Sequence, residues 1–204
     1  MIRRALIIYC DRTHSGNLTG PSHDNENFRN FLTSNIGGDW REDEIISLPN
    51  PTSVKVRNTI NQFLNGADYT FIVFTGHGGT STRDNKQYIE LIDGDYPLYQ
   101  LKTNAKRQTV IVDACRGYYT PGFEDLRESR VMNFAIGGLP KSTRPIFENG
   151  VMMSDEGLTV LYAASENQTA LDTNNGAAYL LSLLTVSYDW EYTDIEYNIL
   201  GLNV

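Results

Sequence analysis

The sequence predicts an α/β fold in which a mainly parallel central sheet is flanked by helices on both faces. Three observations predict it. Four runs, Ala5 to Cys10, Tyr69 to Thr75, Thr109 to Ala114 and Leu158 to Ala164, are apolar along most of their length, as strands covered on both sides are. Segments with apolar residues at helical spacing alternate with these runs, which is the order of a sheet built from crossover units. Two of the runs break into polar turns that each carry a chemically capable side chain, His77 and Cys115.

Each element follows from its own residues. After the strand from Ala5 to Cys10, a polar loop (Asp11 to Ser22) leads into Phe28, Phe31 and Leu32 at helical spacing. Glu44 to Leu48 is a short strand, broken by Pro49 and Pro51, and Val56, Ile60, Phe63 and Leu64 mark a second helix that stops near Gly66. The Gly/Ser/Thr/Asp-rich stretch from Gly76 to Lys86 reads as loop, Tyr88 to Ile92 as a short strand closed by Asp93-Gly94-Asp95, and Pro97 to Ala105 as a helix. Periodicity then disappears between Cys115 and Leu158. A gap this long is read as a mobile or processed inter-strand segment, residues 116–157. Ala177, Leu180, Leu181 and Leu184 form the apolar face of the last helix. With no internal repeat or low-complexity tract, residues 1–204 read as one domain.

Composition removes several function classes. The 17 Lys+Arg against 25 Asp+Glu leave a net charge of −8, which repels phosphate backbones and anionic lipid, so neither nucleic acid nor a membrane surface is expected as a partner. No apolar run approaches the ~18 residues a spanning helix needs, and Ala5 to Cys10 is too short for a signal-peptide core. Cys10 and Cys115 each close an apolar run. That is not a disulfide framework, so a reducing, cytoplasmic location is expected.

Two strands ending in His77 and Cys115 bring an imidazole and a thiol to one rim of a parallel sheet, where α/β proteins keep their chemistry. A thiol attacks as its thiolate and needs a base nearby, which His77 supplies. The Gly78 N–H has room to approach a substrate carbonyl, and the Cys115 N–H is a second oxyanion donor. Taken alone, a Cys closing a strand is usually a small buried apolar residue, and a His before Gly-Gly a turn residue. Asp113 shares a strand face with Cys115, ~6.6 Å along it. Its carboxylate faces either a basic side chain or a structural partner such as Arg116 or a backbone N–H.

Together, Gly76-His77-Gly78-Gly79 and Asp113-Ala114-Cys115-Arg116-Gly117 are similar to the motifs of the caspase and metacaspase group of cysteine peptidases, whose caspase members carry Gln-Ala-Cys-x-Gly. Ala163 to Ala170 and Gly176 to Tyr179 resemble the family's last strand, loop and helix entry. The resemblance implies a caspase-like fold and a cysteine endopeptidase with Cys115 as nucleophile, His77 as general base and Gly78 at the oxyanion. Asp113 stands where caspases carry Gln, as in metacaspases. Their second S1 acid follows the first strand in a Leu-x-Gly-x-x-x-Asp pattern, which Leu18 to Asp24 matches. The resemblance therefore implies protein or peptide substrates with Arg or Lys at P1, bound by Asp113 and Asp24; the competing role for Asp24 is a helix N-cap. It also implies a zymogen that cuts itself after Arg127, Arg130 or Lys141, with Arg144 disfavoured because Pro145 follows it, and it leaves room for a regulatory protein partner. No cofactor is required. The calcium dependence of some relatives leaves calcium open as a cofactor, although the spacing of Asp84, Asp93 and Asp95 fits no cation loop; a zinc site has still less support, because the Cys and His are scattered without ligand spacing. A catalytically silent caspase-like assembly module is the alternative, and a flavodoxin-like ligand domain is weakest because no Gly-rich phosphate loop follows the first strand. The apolar residues left after Leu184, among them Ile195, Ile199 and Leu200, argue for no particular dimer.

Overall fold

The four apolar runs become neighbours in one sheet. The computed structural model describes residues 1–119 and 142–197. In chain order the elements are β1 (Arg3–Tyr9), β2 (Arg12–Thr13), β3 (Gly16–Asn17), α1 (Pro21–Thr33), β4 (Ile45–Pro49), α2 (Ser53–Gln62), β5 (Tyr69–Thr75), β6 (Gly78–Ser81), β7 (Gln87–Leu91), β8 (Gly94–Pro97), β9 (Arg107–Asp113), β10 (Tyr118–Tyr119), α3 (Arg144–Met153), β11 (Gly157–Tyr162) and α4 (Ala178–Tyr197). The main sheet runs β11-β9-β5-β1-β4 with every pair parallel. Its carboxyl rim is thus a single line of loop exits.

Alternation along the strands sorts the core into two layers. Leu6, Ile8, Ile72, Phe74, Val110 and Val112 face α2, packing on Val56 and Ile60. Ala5, Ile7, Val73 and Ile111 face the other way, under Phe28 and Leu32 of α1 and Leu180 and Leu184 of α4. Each such aliphatic side chain contributes about 1.5–3 kcal/mol when buried. Helices therefore cover both faces, as the strand composition predicts.

Four local expectations change. The loop after β1 contains the β2–β3 hairpin, and the Gly76 to Lys86 stretch contains β6, which joins β10, β7 and β8 in a second sheet. Pro97 to Ala105 yields only a 3-10 turn, Leu98–Leu101. The reason lies in Gln108, which accepts from the Thr103 N–H (2.8 Å) and donates to the Thr103 and Ala105 carbonyls (3.1 and 2.7 Å), taking backbone groups that a helix would have used. Within residues 116–157, Tyr118–Tyr119 pairs with β6 and Arg144–Met153 is helical.

The amino end of the sheet is tied by charge. Arg3, fully buried, lies 4.4 Å over the Trp40 ring and 3.5 Å from Glu44, whose carboxylate also receives both arms of Arg144 (2.9 and 2.5 Å). Burial opposes ionisation of Glu44, but the Arg144 hydrogen bonds prevail and hold its pKa at about 2. Arg144 also reaches Glu148 at 2.8 Å. Bidentate pairing of this kind is the strong form of an ion pair. Arg144 is thus a structural clamp at the head of α3.

Candidate active site

The carboxyl rim is organised by one register pair, Thr75 on β5 opposite Asp113 on β9. His77 and Cys115 stand two residues beyond it on adjacent chains, and neighbouring strands lie ~4.8 Å apart. Both residues thus follow neighbouring strands at one rim of the sheet. Gly76 N–H donates to the Asp113 carbonyl (3.1 Å), which carries the pairing past the strand ends.

Backbone bonds hold both exits. The His77 carbonyl accepts from Glu90 on β7 (2.9 Å). Arg116, next to the candidate nucleophile, donates its N–H to the Gln168 carbonyl (2.8 Å), and its own carbonyl accepts from Asn167 N–H (3.2 Å) and Thr80 Oγ1 (3.0 Å). Its guanidinium stacks 4.0 Å over Tyr162 and reaches Glu166 at 3.4 Å. Arg116 is therefore not the partner of Asp113. Cys115 is half-buried, with Sγ 3.9 Å from the Ala170 carbonyl. Gly78 lies against the strand that delivers it: a Cβ there would sit 2.8 Å from the Tyr88 carbonyl and 2.9 Å from the Ala114 Cβ. Only glycine lets β6 pass so close.

Asp24 and Asp113 converge on the α1/α4 face of this rim. Asp24 accepts from Thr75 Oγ1 (2.6 Å) and from the Ala177 N–H (2.9 Å), and it is not the N-cap of α1, a place Gly20 takes ahead of Pro21. Asp113 faces the Leu180 N–H, so the amino end of α4 points at both carboxyls, where its dipole favours negative charge. Burial works against that. Asp24 is 1 % exposed and its pKa is pushed up to about 7 by burial, against its two hydrogen bonds and with Asp172 adding to the rise. Burial likewise pushes Asp113 well up, followed by the charges of Asp24 and Asp172. Asp113 Oδ2 has no hydrogen-bond partner among the described residues.

Asp172 is the residue that sequence reasoning missed. It lies in the Leu171-Asp172-Thr173-Asn174-Asn175-Gly176 turn, whose composition is that of any polar loop, so only its place after β11 on the same rim could have marked it. Of the remaining sequence candidates, Arg127, Arg130 and Lys141 fall outside the described residues, as do Ile199 and Leu200. Asp84 binds Tyr88 Oη (2.9 Å), and Asp93 accepts from Ser53 at the start of α2 (2.8 Å). Both are taken up in local hydrogen bonds. Cys10 is fully buried and its thiol is pushed up to about 12 by burial, which fits packing rather than reaction. No group of His, Cys, Asp and Glu fit to hold a metal ion, and no helix long and apolar enough to cross a membrane, occurs among the described residues.

Comparison with known proteins bears on the fold and the family. Caspase-1 from Spodoptera frugiperda, a crystal structure, superposes with a TM-score of 0.59 at 16% identity, covering 93% of this chain and 69% of that one. At that identity the likeness is one of fold: a central parallel sheet flanked by helices, as in caspases. No curated protein matches the chain. The sequence profile of the peptidase C14 family, the caspase domain, matches residues 2–196. With nearly the whole length matched and the fold shared, the chain belongs to the caspase-domain family of cysteine peptidases.

Proposed function

We propose that this protein is a cysteine endopeptidase that cleaves after Arg or Lys, using Cys115 and His77. The observation that carries the specificity is the pair of buried acids beside the candidate nucleophile, with Asp113 Oδ2 lacking a donor. A guanidinium supplies such donors and a positive charge that favours the ionised acids, while an acidic P1 side chain would bring a further carboxylate against them.

In this reading His77 takes the thiol proton as Sγ attacks the scissile carbonyl, and the N–H groups of Gly78 and Cys115 hold the oxyanion. Collapse breaks the C–N bond, and the imidazolium protonates the leaving amine. A water then attacks the thioester, giving its proton to His77, and the acid product and free thiol are restored. No cofactor enters these steps. Both cysteines are free thiols, in keeping with action in a reducing cytoplasm. Self-cleavage after Arg127, Arg130 or Lys141 belongs to the same reading, as does a requirement for calcium or a regulatory protein.

One observation favours the silent-module alternative: Asp24 and Asp113 are 1 % and 4 % exposed, so the pocket is closed around its own acids. Fluorogenic peptides ending in Arg, Lys or Asp, assayed on the protein and on Cys115→Ala with and without calcium, separate the two. Release from Arg and Lys peptides that vanishes with Cys115→Ala supports the peptidase. Absence of any Cys115-dependent release supports the module, and preference for Asp refutes the pocket assignment.

A further inference from the structure

The hairpin that follows β1 is held at both ends. At its base, Asn50 Oδ1 accepts from the N–H groups of Asp11 (3.1 Å) and Arg12 (3.1 Å), and Asn50 Nδ2 donates to Asp11 Oδ1 (2.7 Å). At its tip, His14 Nδ1 lies 2.6 Å from Glu90 Oε1, and the Ser15 N–H donates to the same oxygen at 2.8 Å. A hairpin with strands as short as Arg12–Thr13 and Gly16–Asn17 has no stability of its own, so these anchors decide where it stands. Glu90 is a rigid post. It lies on β7 between the fully buried Ile89 and Leu91, and its N–H holds the His77 carbonyl (2.9 Å). Its own side chain is buried, a place a carboxylate keeps only with donors to meet it, and the hairpin tip supplies them.

The strand order β9-β5-β1 sets three chain exits in line along the rim: Cys115, His77 and then the hairpin. The chain entering the hairpin presses on the middle exit, since a Cβ on Gly76 would lie 3.1 Å from the Cys10 carbonyl and 3.2 Å from the Cys10 Cβ. His77 thus has the candidate nucleophile on one side and the hairpin on the other. In the reaction read above, the acyl group stays on Sγ while the imidazolium protonates the departing amine, so the segment after the cut leaves on the hairpin's side. Resting on that Cys-His reading, we propose that the β2–β3 hairpin, latched to β7 by Glu90, forms the subsite for the residues that follow the scissile bond, with Glu90 as its positioning residue. The ligand is an extended peptide. Among the described residues β3 pairs with no strand but β2, which leaves its other edge to join such a segment through backbone groups. Glu90 itself touches no substrate; it acts by fixing the hairpin.

The test uses two substrates identical up to a P1 Arg: one ends there in an aminocoumarin amide, and the other runs on for several residues as an internally quenched peptide. Glu90→Ala is expected to lower kcat/KM on the extended peptide about 10- to 100-fold and on the coumarin amide by less than about threefold. Glu90→Gln, which keeps an oxygen for the Ser15 N–H, should restore most of the difference. His14→Ala, a change at an exposed turn, should give a smaller loss of the same kind. Equal losses on both substrates, or none on the extended one, overturn the proposal. A binding measurement keeps it independent of turnover: fluorescence anisotropy of the labelled extended peptide, and of the same peptide stopped at Arg, on Cys115→Ala and on Cys115→Ala combined with Glu90→Ala. The residues beyond Arg should tighten binding about tenfold, and Glu90→Ala should remove that gain. No binding, an extension that adds nothing, or a gain that survives Glu90→Ala overturns the subsite. A gain that depends on Glu90 in a protein that cuts neither substrate upholds the subsite and removes only the peptidase reading.

Discussion

Replacing Asp24 by Asn should make the folded protein more stable at alkaline pH and hardly change it at acid pH. The carboxyl ordinarily titrates at 3.8 and here at about 7. Between those values the folded chain holds a proton that the unfolded chain has lost. Stability from this group is therefore complete below pH 3.8 and is lost as pH rises through about 7. At about 1.4 kcal/mol per pKa step, the full loss is about 4 kcal/mol. Asn keeps an oxygen for the Ala177 N–H and a neutral amide toward Thr75 Oγ1, which can turn to accept, so it imitates the protonated acid. Relaxation around the ionised acid reduces the ceiling, and a gain of about 2–4 kcal/mol is expected near pH 8.5, narrowing to about 1–2 kcal/mol near pH 5. Urea unfolding of both proteins at the two pH values measures it. A gap independent of pH, or a less stable Asn variant at alkaline pH, would refute the reasoning that burial of this acid dominates its hydrogen bonds.

Two further outcomes follow from the geometry. Gly78→Ala places a methyl 2.8 Å from the Tyr88 carbonyl and 2.9 Å from the Ala114 Cβ, and so must push β6 off the Cys115 strand. A fall in kcat of about 10²-fold, with KM changed far less, is expected in steady-state kinetics; unchanged kcat would remove Gly78 from the oxyanion role. Glu44→Gln removes the more buried of the two anions shared by Arg3 and Arg144 and leaves them only the partly exposed Glu148, at a cost of about 2–3 kcal/mol in urea unfolding near neutral pH. Because Glu44 titrates at about 2 instead of 4.5, its contribution is present above pH 4.5 and drains away as pH falls toward 2, so the difference between the two proteins must shrink over that window.

What could be read from the chain follows from how many faces of an element are buried. β1, β5 and β9 are covered on both sides, so their composition alone announces them. β6 has the residues of a turn, Gly78-Gly79-Thr80-Ser81, and is a strand because β7 and β10 pair with it. Long-range hydrogen bonds leave no periodic trace. α3 escaped for another reason: only Phe147 and Val151 pack inward, while exposed Ile146, Met152 and Met153 blur the apolar stripe, and Pro145 looks like a breaker although it opens the helix. At the site, His77, Cys115, Asp113 and Asp24 were legible through their motifs. Asp172 was not, because a single acid in a polar turn is ordinary until the fold sets that turn against the start of α1, where the Gly20 N–H meets it.

Residues 120–141 join two anchors at opposite ends of the sheet. Tyr119 is paired with Ser81, past the carboxyl end of β5, whereas Arg144 grips Glu44 beside the amino end of β1. A cut anywhere between them would break the covalent chain without parting the pieces, since β11 keeps six paired positions on β9 and the Glu44 clamp survives. Such a nicked molecule would travel with the intact one on a sizing column and betray itself only in denaturant, so native size is no guide to whether this protein has been processed.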